Sequence, residues 1–183
     1  MNGRLIVIEG LDGSGKATQA ARLTDALNAQ GKGVKQISFP DYASDSSALI
    51  KMYLGGKFGS HPDDVNAYAA STFYSVDRYA SYKTNWGDFY RRGGIVVSDR
   101  YTTSNAVHQT AKLPPAARDA FLDWLFDFEY RLLGLCTVRD LIMAPDNRRL
   151  ERRHLTLEMT MLNDPAVDSQ MNLRSSAAEL FRF

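Results

Sequence analysis

Cysteine is almost missing from this chain: Cys136 is the only one among 183 residues. A single thiol excludes an internal disulfide framework and suits a reducing compartment. It lies on no recognisable nucleophile motif and reads as a buried thiol rather than a nucleophile. Histidine is also scarce, and His61, His108 and His154 fall at no metal-ligand spacing. Neither sign of charge is in excess, with a net charge of +1, so no overall field favours nucleic acid or an anionic membrane. Any anion must be held by a local cluster. Long apolar runs are lacking too, and no stretch approaches the roughly 18 residues that span a bilayer. The start, Met1-Asn2-Gly3-Arg4 and a short apolar run, is too brief for a signal-peptide core. Together these absences imply a cytoplasmic protein with no membrane partner. There is no internal repeat and no low-complexity segment.

What is present fits one domain, with 44% hydrophobic and 23% charged residues. Strand-like runs at Leu5 to Ile8, Val34 to Ser38 and Ile95 to Ser98 are separated by helical patterning. That alternation predicts an α/β fold, a parallel sheet with helices on both faces. A helix is predicted over Ala17 to Asn28. Asp45-Ser46-Ser47 is a predicted cap for a short helix through Leu54, and a long helical stretch is predicted from His61-Pro62-Asp63-Asp64 to Gly93-Gly94. Val65, Tyr68, Ala69, Thr72, Val76, Tyr79 and Lys83 fall roughly on one face of it. A further helix is expected from Pro115 to Gly134, with Phe121, Leu122, Leu125, Phe126, Glu129, Leu132 and Leu133 as its core stripe. After Gly134 only Asp140 to Ala144 offers a strand, followed by helical potential from Arg148 through Met161 and a weak helix at Ser175 to Phe181. No second strong strand follows, which leaves open a sheet incomplete at the C-terminus.

The strongest signal is Gly10-Leu11-Asp12-Gly13-Ser14-Gly15-Lys16-Ala17-Thr18, a phosphate-binding loop between a strand and a helix. Its glycines let backbone amides wrap phosphate oxygens, and Lys16 reaches the β and γ phosphates. The next position calls for Ser or Thr as a Mg²⁺ ligand and holds Ala17; Thr18 still carries a hydroxyl. Asp99 and Arg100 close the third strand, where ligands of open α/β sheets bind. Asp99 can hold a Mg²⁺-bound water, and Arg100 can clamp a phosphoryl group. Phe39-Pro40-Asp41-Tyr42 opens onto the same edge, although a plain turn explains it equally. Tyr74 and Arg78 are four apart on a helix, so a planar base could stack on the ring beside the guanidinium; an aromatic packed on an arginine stem is the competing reading. Thr102-Thr103-Ser104-Asn105, then His108 and Gln109, set hydrogen-bonding groups on the turns after Arg100, and an Asn amide matches a pyrimidine edge.

Taken together, GLDGSGKAT (Gly10 to Thr18), FPDY (Phe39 to Tyr42), FYSVDR (Phe73 to Arg78) and DRYTTSN (Asp99 to Asn105) make residues 3–135 resemble the thymidylate kinase family. The resemblance implies a P-loop nucleoside monophosphate kinase fold that moves the γ-phosphoryl of ATP onto dTMP, with Mg²⁺, in a homodimer joined through long helices. It places ATP phosphates on Gly10, Gly13, Ser14, Gly15, Lys16, Ala17 and Thr18, with Asp99 and Thr18 toward the metal. It places Asp12 at the deoxyribose 3′-hydroxyl and Arg100 between donor and acceptor phosphates. Tyr74, rather than Phe73, stacks on thymine, and Arg78 reaches the base or its phosphate side. Asn105 reads the pyrimidine edge, His108 lies near the sugar, and Phe39, Pro40 and Ser104 complete the dTMP site. The family takes a further arginine either from inside the loop or from a later lid. Gly13 and Ser14 carry no charge, so the chain resembles the lid-dependent kind, and Arg148, Arg149, Arg152 and Arg153 are its lid candidates; a solvated basic helix face is the other reading. Residues 136–183 read as an atypical lid and tail, a departure that truncation or a shifted reading frame would produce. A nucleotide-binding homologue without a competent lid, or a kinase of another deoxynucleoside monophosphate, fits the same motifs.

Overall fold

Residues 3–138 and 140–144 are described by a computed structural model of the chain. The lid candidates Arg148, Arg149, Arg152 and Arg153, and the helices expected beyond Met143, lie outside the described residues. Four strands form one parallel sheet in the order β2-β3-β1-β4: β1 (Arg4–Glu9), β2 (Val34–Ser38), β3 (Ile95–Asp99) and β4 (Asp140–Met143). Ile6 pairs with Val97 on one side and Asp140 on the other. The short candidate at Asp140 to Ala144 is therefore a true strand.

The apolar run of β1 is buried on both faces, as a central parallel strand requires. Successive side chains alternate between faces. Leu5 and Val7 join Ile37, Phe39, Trp86, Val96 and Tyr101 on one side. Ile6 and Ile8 join Ala20, Val97 and Ile142 under helix α1 (Lys16–Ala29) on the other. A third apolar cluster, including Ala67, Ala106, Phe121 and Leu125, binds the helices to one another.

The chain leaves β1 toward β2, across β3, and leaves β3 toward β4, on the far side of β1. This reversal opens a crevice at the carboxyl ends of β1 and β3, where ligands of open sheets bind.

Sequence pattern and structure differ at three places. Asp45–Ser47 form a 3₁₀ turn leading into α2 (Ala48–Leu54): Ser47 takes the N-cap position of that helix without a side-chain cap bond, and the capping hydroxyl is that of Ser44, whose Oγ accepts from Ser46 N at the start of the turn. The long stretch is α3 (Ala67–Ser81), a π-turn at Tyr82–Trp86 and α4 (Gly87–Arg91). On α3 the buried residues are small or polar, among them Ala67, Ala70, Ser71, Ser75 and Arg78, while Val76 faces outward and Tyr68, still partly exposed, packs its ring on Phe121 and Trp124 of the later helix. Close packing on α5 (Thr102–Thr110) and the site beneath it exclude large apolar groups there. Finally, α6 (Pro115–Phe126) passes into a second π-turn at Asp127–Leu132. The wider turn rotates later residues off the helical stripe, so Leu132 is 60% exposed whereas Glu129 is fully buried.

Candidate active site

The phosphate loop begins where β1 ends. Gly10 sits at φ 150°, and a Cβ there would lie 2.8 Å from Ser14 Oγ, so the tight turn needs glycine. Gly15 occupies the N-cap of α1 at φ 81°, and no side chain caps that helix. Its N-terminal amides and dipole therefore point at the space in front of the loop. Lys16 is buried and folds back to donate from Nζ to Leu11 O at 2.6 Å. Burial first, and Arg100 second, hold its ammonium below the ordinary lysine value.

Arg100 links the loop to the other half of the site. It takes a left-handed backbone, φ 66°, which a non-glycine residue keeps only when its surroundings impose it. Its amide bonds to Ile8 O at 3.0 Å, and its guanidinium donates from Nη1 to Ser104 Oγ at 3.0 Å and from Nη2 to Asp12 Oδ1. Asp12 itself is 92% exposed on the loop.

Beside Arg100 opens a cavity of about 500 Å³. Every residue assigned by resemblance to the acceptor lies on its wall: Asp12, Phe39, Pro40, Tyr74, Arg78, Arg100, Ser104, Asn105 and His108, with Asp99 beside them. Tyr74 lines it, whereas Phe73 packs away on Tyr53 and Phe58, at 6.3 and 5.6 Å between ring centroids. Burial, with Tyr53 and Tyr42 nearby, pushes the Tyr74 phenol up to about 12. Asn105 is 4% exposed; its Nδ2 donates to Ser71 O at 3.3 Å, and its Oδ1 is buried without a partner among the described residues. Gln109, one helical turn on, has an unpartnered Oε1 as well. His108 is exposed as a residue, yet its ring lies low enough at the cavity mouth for desolvation, then Arg100, to hold it below its usual value. Tyr53, Leu54 and Lys112 also line the wall and carry no sequence motif. Lys112 Nζ donates to Tyr53 Oη at 2.7 Å.

Buried carboxylates behind the wall are the residues that motif reading missed. Glu9 Oε1 accepts from Tyr101 N, Thr103 Oγ1 and Ser104 N, at 3.0, 2.5 and 3.0 Å, and Oε2 accepts from Ser104 Oγ at 2.6 Å. It caps α5 from the strand that carries the phosphate loop, a stabilising place for an anion. An acidic residue ending an otherwise apolar buried strand was the available signal. Asp77 accepts from Asp41 N at 2.8 Å and Ser46 Oγ at 2.6 Å, pinning the Pro40 turn to α3. Glu129 pairs with Arg78 beneath the cavity. Cys136 lies apart; burial pushes its thiol up to about 12, which leaves it a poor nucleophile.

The donors for a divalent cation are few. Asp99 Oδ1 is buried and unpaired among the described residues, and burial raises this carboxyl above its ordinary value against the pull of Lys16 and Arg100. Such an oxygen fits a cation or a cation-bound water. Thr18 is exposed on α1 with no side-chain hydrogen bond among the described residues, and Ala17 offers no ligand atom. No cluster of three or more His, Cys, Asp or Glu side chains able to hold a metal occurs among the described residues.

A glycine loop closing on a helix N-terminus, a lysine within it, and an arginine-walled cavity at the sheet's switch point define a P-loop kinase fold. The family model described as Thymidylate kinase matches residues 8–116, and the chain belongs to that family. Thymidylate kinase of Mycobacterium tuberculosis is 36% identical over 132 residues, covering 72% of this chain and 60% of the relative. The Arabidopsis thaliana enzyme is 34% identical over 150 residues, 82% of this chain and 52% of the relative. The human enzyme is 30% identical over 122 residues, 67% and 52%. The chain thus spans about half to three-fifths of the length of these curated relatives. Among solved structures, thymidylate kinase from Candida albicans superposes with a TM-score of 0.63 at 24% identity, over 100% of this chain and 78% of that one, a likeness of fold. No helix among the described residues is long and apolar enough to cross a membrane.

Proposed function

We propose that the protein transfers the γ-phosphoryl of ATP to dTMP, giving dTDP and ADP. The observation that carries this reading is Arg100, whose guanidinium spans from Asp12 on the phosphate loop to Ser104 on the cavity wall. Phosphoryl transfer needs little covalent chemistry from the protein; it needs two phosphates held in line and their charge neutralised. The loop amides from Gly10 through Thr18 cradle the ATP phosphates, and Lys16 leaves Leu11 O to meet the β and γ oxygens. Tyr74 stacks on thymine, while Asn105 and Arg78 meet its polar edge. Phe39 and Pro40 close the pocket around the base, and His108 lies by the sugar with Asp12 at the 3′-hydroxyl. Arg100 then holds the acceptor phosphate. An oxygen of that phosphate attacks the γ phosphorus, the bond to the β–γ bridging oxygen breaks, and ADP carries the electron pair away.

Asp99, with Thr18 as a second donor, would hold Mg²⁺, which supplies charge neutralisation on the phosphoryl oxygens when bound. The reading includes a homodimer through the long helices, supported by the exposed Val76 on α3, and a cytoplasmic setting, supported by the lone cysteine. A coupled ADP-release assay with ATP, Mg²⁺ and dTMP tests the activity. Turnover that Lys16→Ala abolishes is expected; no turnover above that variant overturns the reading.

A further inference from the structure

Arg78 is 2% exposed, and a guanidinium cannot shed its charge, so something must hold it there. Among the described residues its ion-pair partner is Glu129. Its Oε2 accepts from Arg78 Nε at 2.9 Å, and its Oε1 accepts from Arg78 Nη2. The same two oxygens accept from Thr102 Oγ1 at 2.6 Å and from Ser75 Oγ at 2.7 Å. Both oxygens thus carry two bonds each, and the carboxylate is saturated with no exposed surface. Its partners sit on α3, which carries Tyr74 and Arg78 into the cavity, and on the first residue of α5, which carries Ser104 and Asn105 into it. Glu129 lies in the π-turn after α6 and continues the buried face of Phe121 and Leu125. π-turns of this kind recur at functional sites.

This arrangement divides the guanidinium. Nε and one N–H of Nη2 are committed to Glu129, Cζ lies over the Tyr101 ring at 5.9 Å from its centroid, and the N–H groups of Nη1 with the second of Nη2, on the edge away from Glu129, make no bond among the described residues. A fork held on one edge by a carboxylate is fixed in orientation, unlike a point-charge ammonium.

We propose that Glu129 is a positioning residue for acceptor recognition: it fixes Arg78 so that the guanidinium edge facing away from Glu129, led by Nη1, is offered to the base. The site then prefers a pyrimidine that presents a carbonyl oxygen there over one that presents an amino group. The inference rests on the dTMP reading above and deepens it, since a donor-only N–H donates to a carbonyl oxygen and repels an amino N–H.

The test is calorimetry and steady-state kinetics of the full chain with dTMP, dCMP and ATP, for the parent, Glu129→Gln, Glu129→Asp and Thr102→Val, with thermal melts of each. In Glu129→Gln, dTMP binding is expected to weaken about 10-fold, as for loss of a charged hydrogen bond, with KM for ATP unchanged. The preference for dTMP over dCMP should shrink, and Glu129→Asp, which keeps the charge, should recover part of it. A purely structural glutamate would lower the melting temperature and the active fraction, leaving KM for dTMP and the dTMP to dCMP ratio at parental values; that result overturns the proposal. If Glu129→Gln does not fold, Thr102→Val removes one bond to Glu129 and keeps both charges. A reduced dTMP preference in it supports the proposal, and an unchanged ratio overturns it. A parent chain that fails to bind dTMP refutes the functional reading itself; a parent that binds while every variant matches it refutes only the role of Glu129.

Discussion

The loop at Gly10 to Thr18 draws its anion-binding groups from the backbone of contiguous residues, whereas the cavity beside it is assembled from side chains on β2, α2, α3, β3 and α5. The loop is held by glycine geometry and a helix end, with Asp12 almost wholly in solvent. The cavity wall is held from behind by buried carboxylates: Glu9 under α5, Asp77 under the Pro40 turn and Glu129 under Arg78. Backbone amides bind any phosphate presented to them. A wall of oriented side chains can tell one base from another. The two halves meet at Arg100, whose left-handed backbone and two-sided guanidinium serve both.

If the halves are separable, damage to each should give a different signature. The largest effect is expected for Lys16→Ala, which removes the loop's cation: turnover should fall by about 10³-fold, the scale of losing a main electrostatic stabiliser of the transition state. Its affinity for dTMP should stay near the parent's, and a calorimetric titration checks that. Asn105→Ala strikes the other half. It empties the pyrimidine edge and should raise KM for dTMP about 10-fold, the worth of one good buried hydrogen bond, while KM for ATP holds steady; equal rises in both constants would erase the distinction between halves. Glu9→Ala tests the support shared by both. It leaves the amides at Tyr101 and Ser104 without their acceptor, so chemical denaturation should show a loss of about 3 kcal/mol. A loss no larger than that of an exposed substitution would mean the cap contributes little.

The smallest effect concerns pH. The Tyr74 phenol is pushed up to about 12 from an ordinary value of 10.0. A folded-state value above the unfolded one stabilises the protein fully below the unfolded value, and this contribution fades as pH rises from about 10 through 12. Tyr74→Phe should therefore lose less stability than the parent between pH 9.5 and 11.5 (about two units of pH), read as the shift in urea midpoint. Parallel losses would place the Tyr74 ring in contact with solvent rather than in a dry wall.

Much of this contrast was legible in the sequence, for a physical reason. A phosphate loop must be contiguous, so GLDGSGKAT stands out, and the three apolar runs that became β1, β2 and β3 need no partner to be recognised. Tyr74 and Arg78 declared themselves through helical spacing, and Asp99 and Arg100 by ending a strand. Glu129 could not, since its nearest charged partner is 51 residues away. Nor does a 3.6-residue pattern reveal a π-turn, which is why Leu132 was placed on the core stripe and lies in solvent. On α3 the periodic apolar face proved to be the outer one, because the inner face is reserved for residues that pack closely or reach the cavity.

Calorimetric titration of the full chain with dTMP, in the parent and in Lys16→Ala, tests the central claim most directly, because it asks whether a base-reading cavity exists independently of the phosphate loop. The account requires saturable one-to-one binding in both proteins, weakened in Asn105→Ala. Absence of dTMP binding by the parent, or its loss in Lys16→Ala with the fold intact, would contradict it.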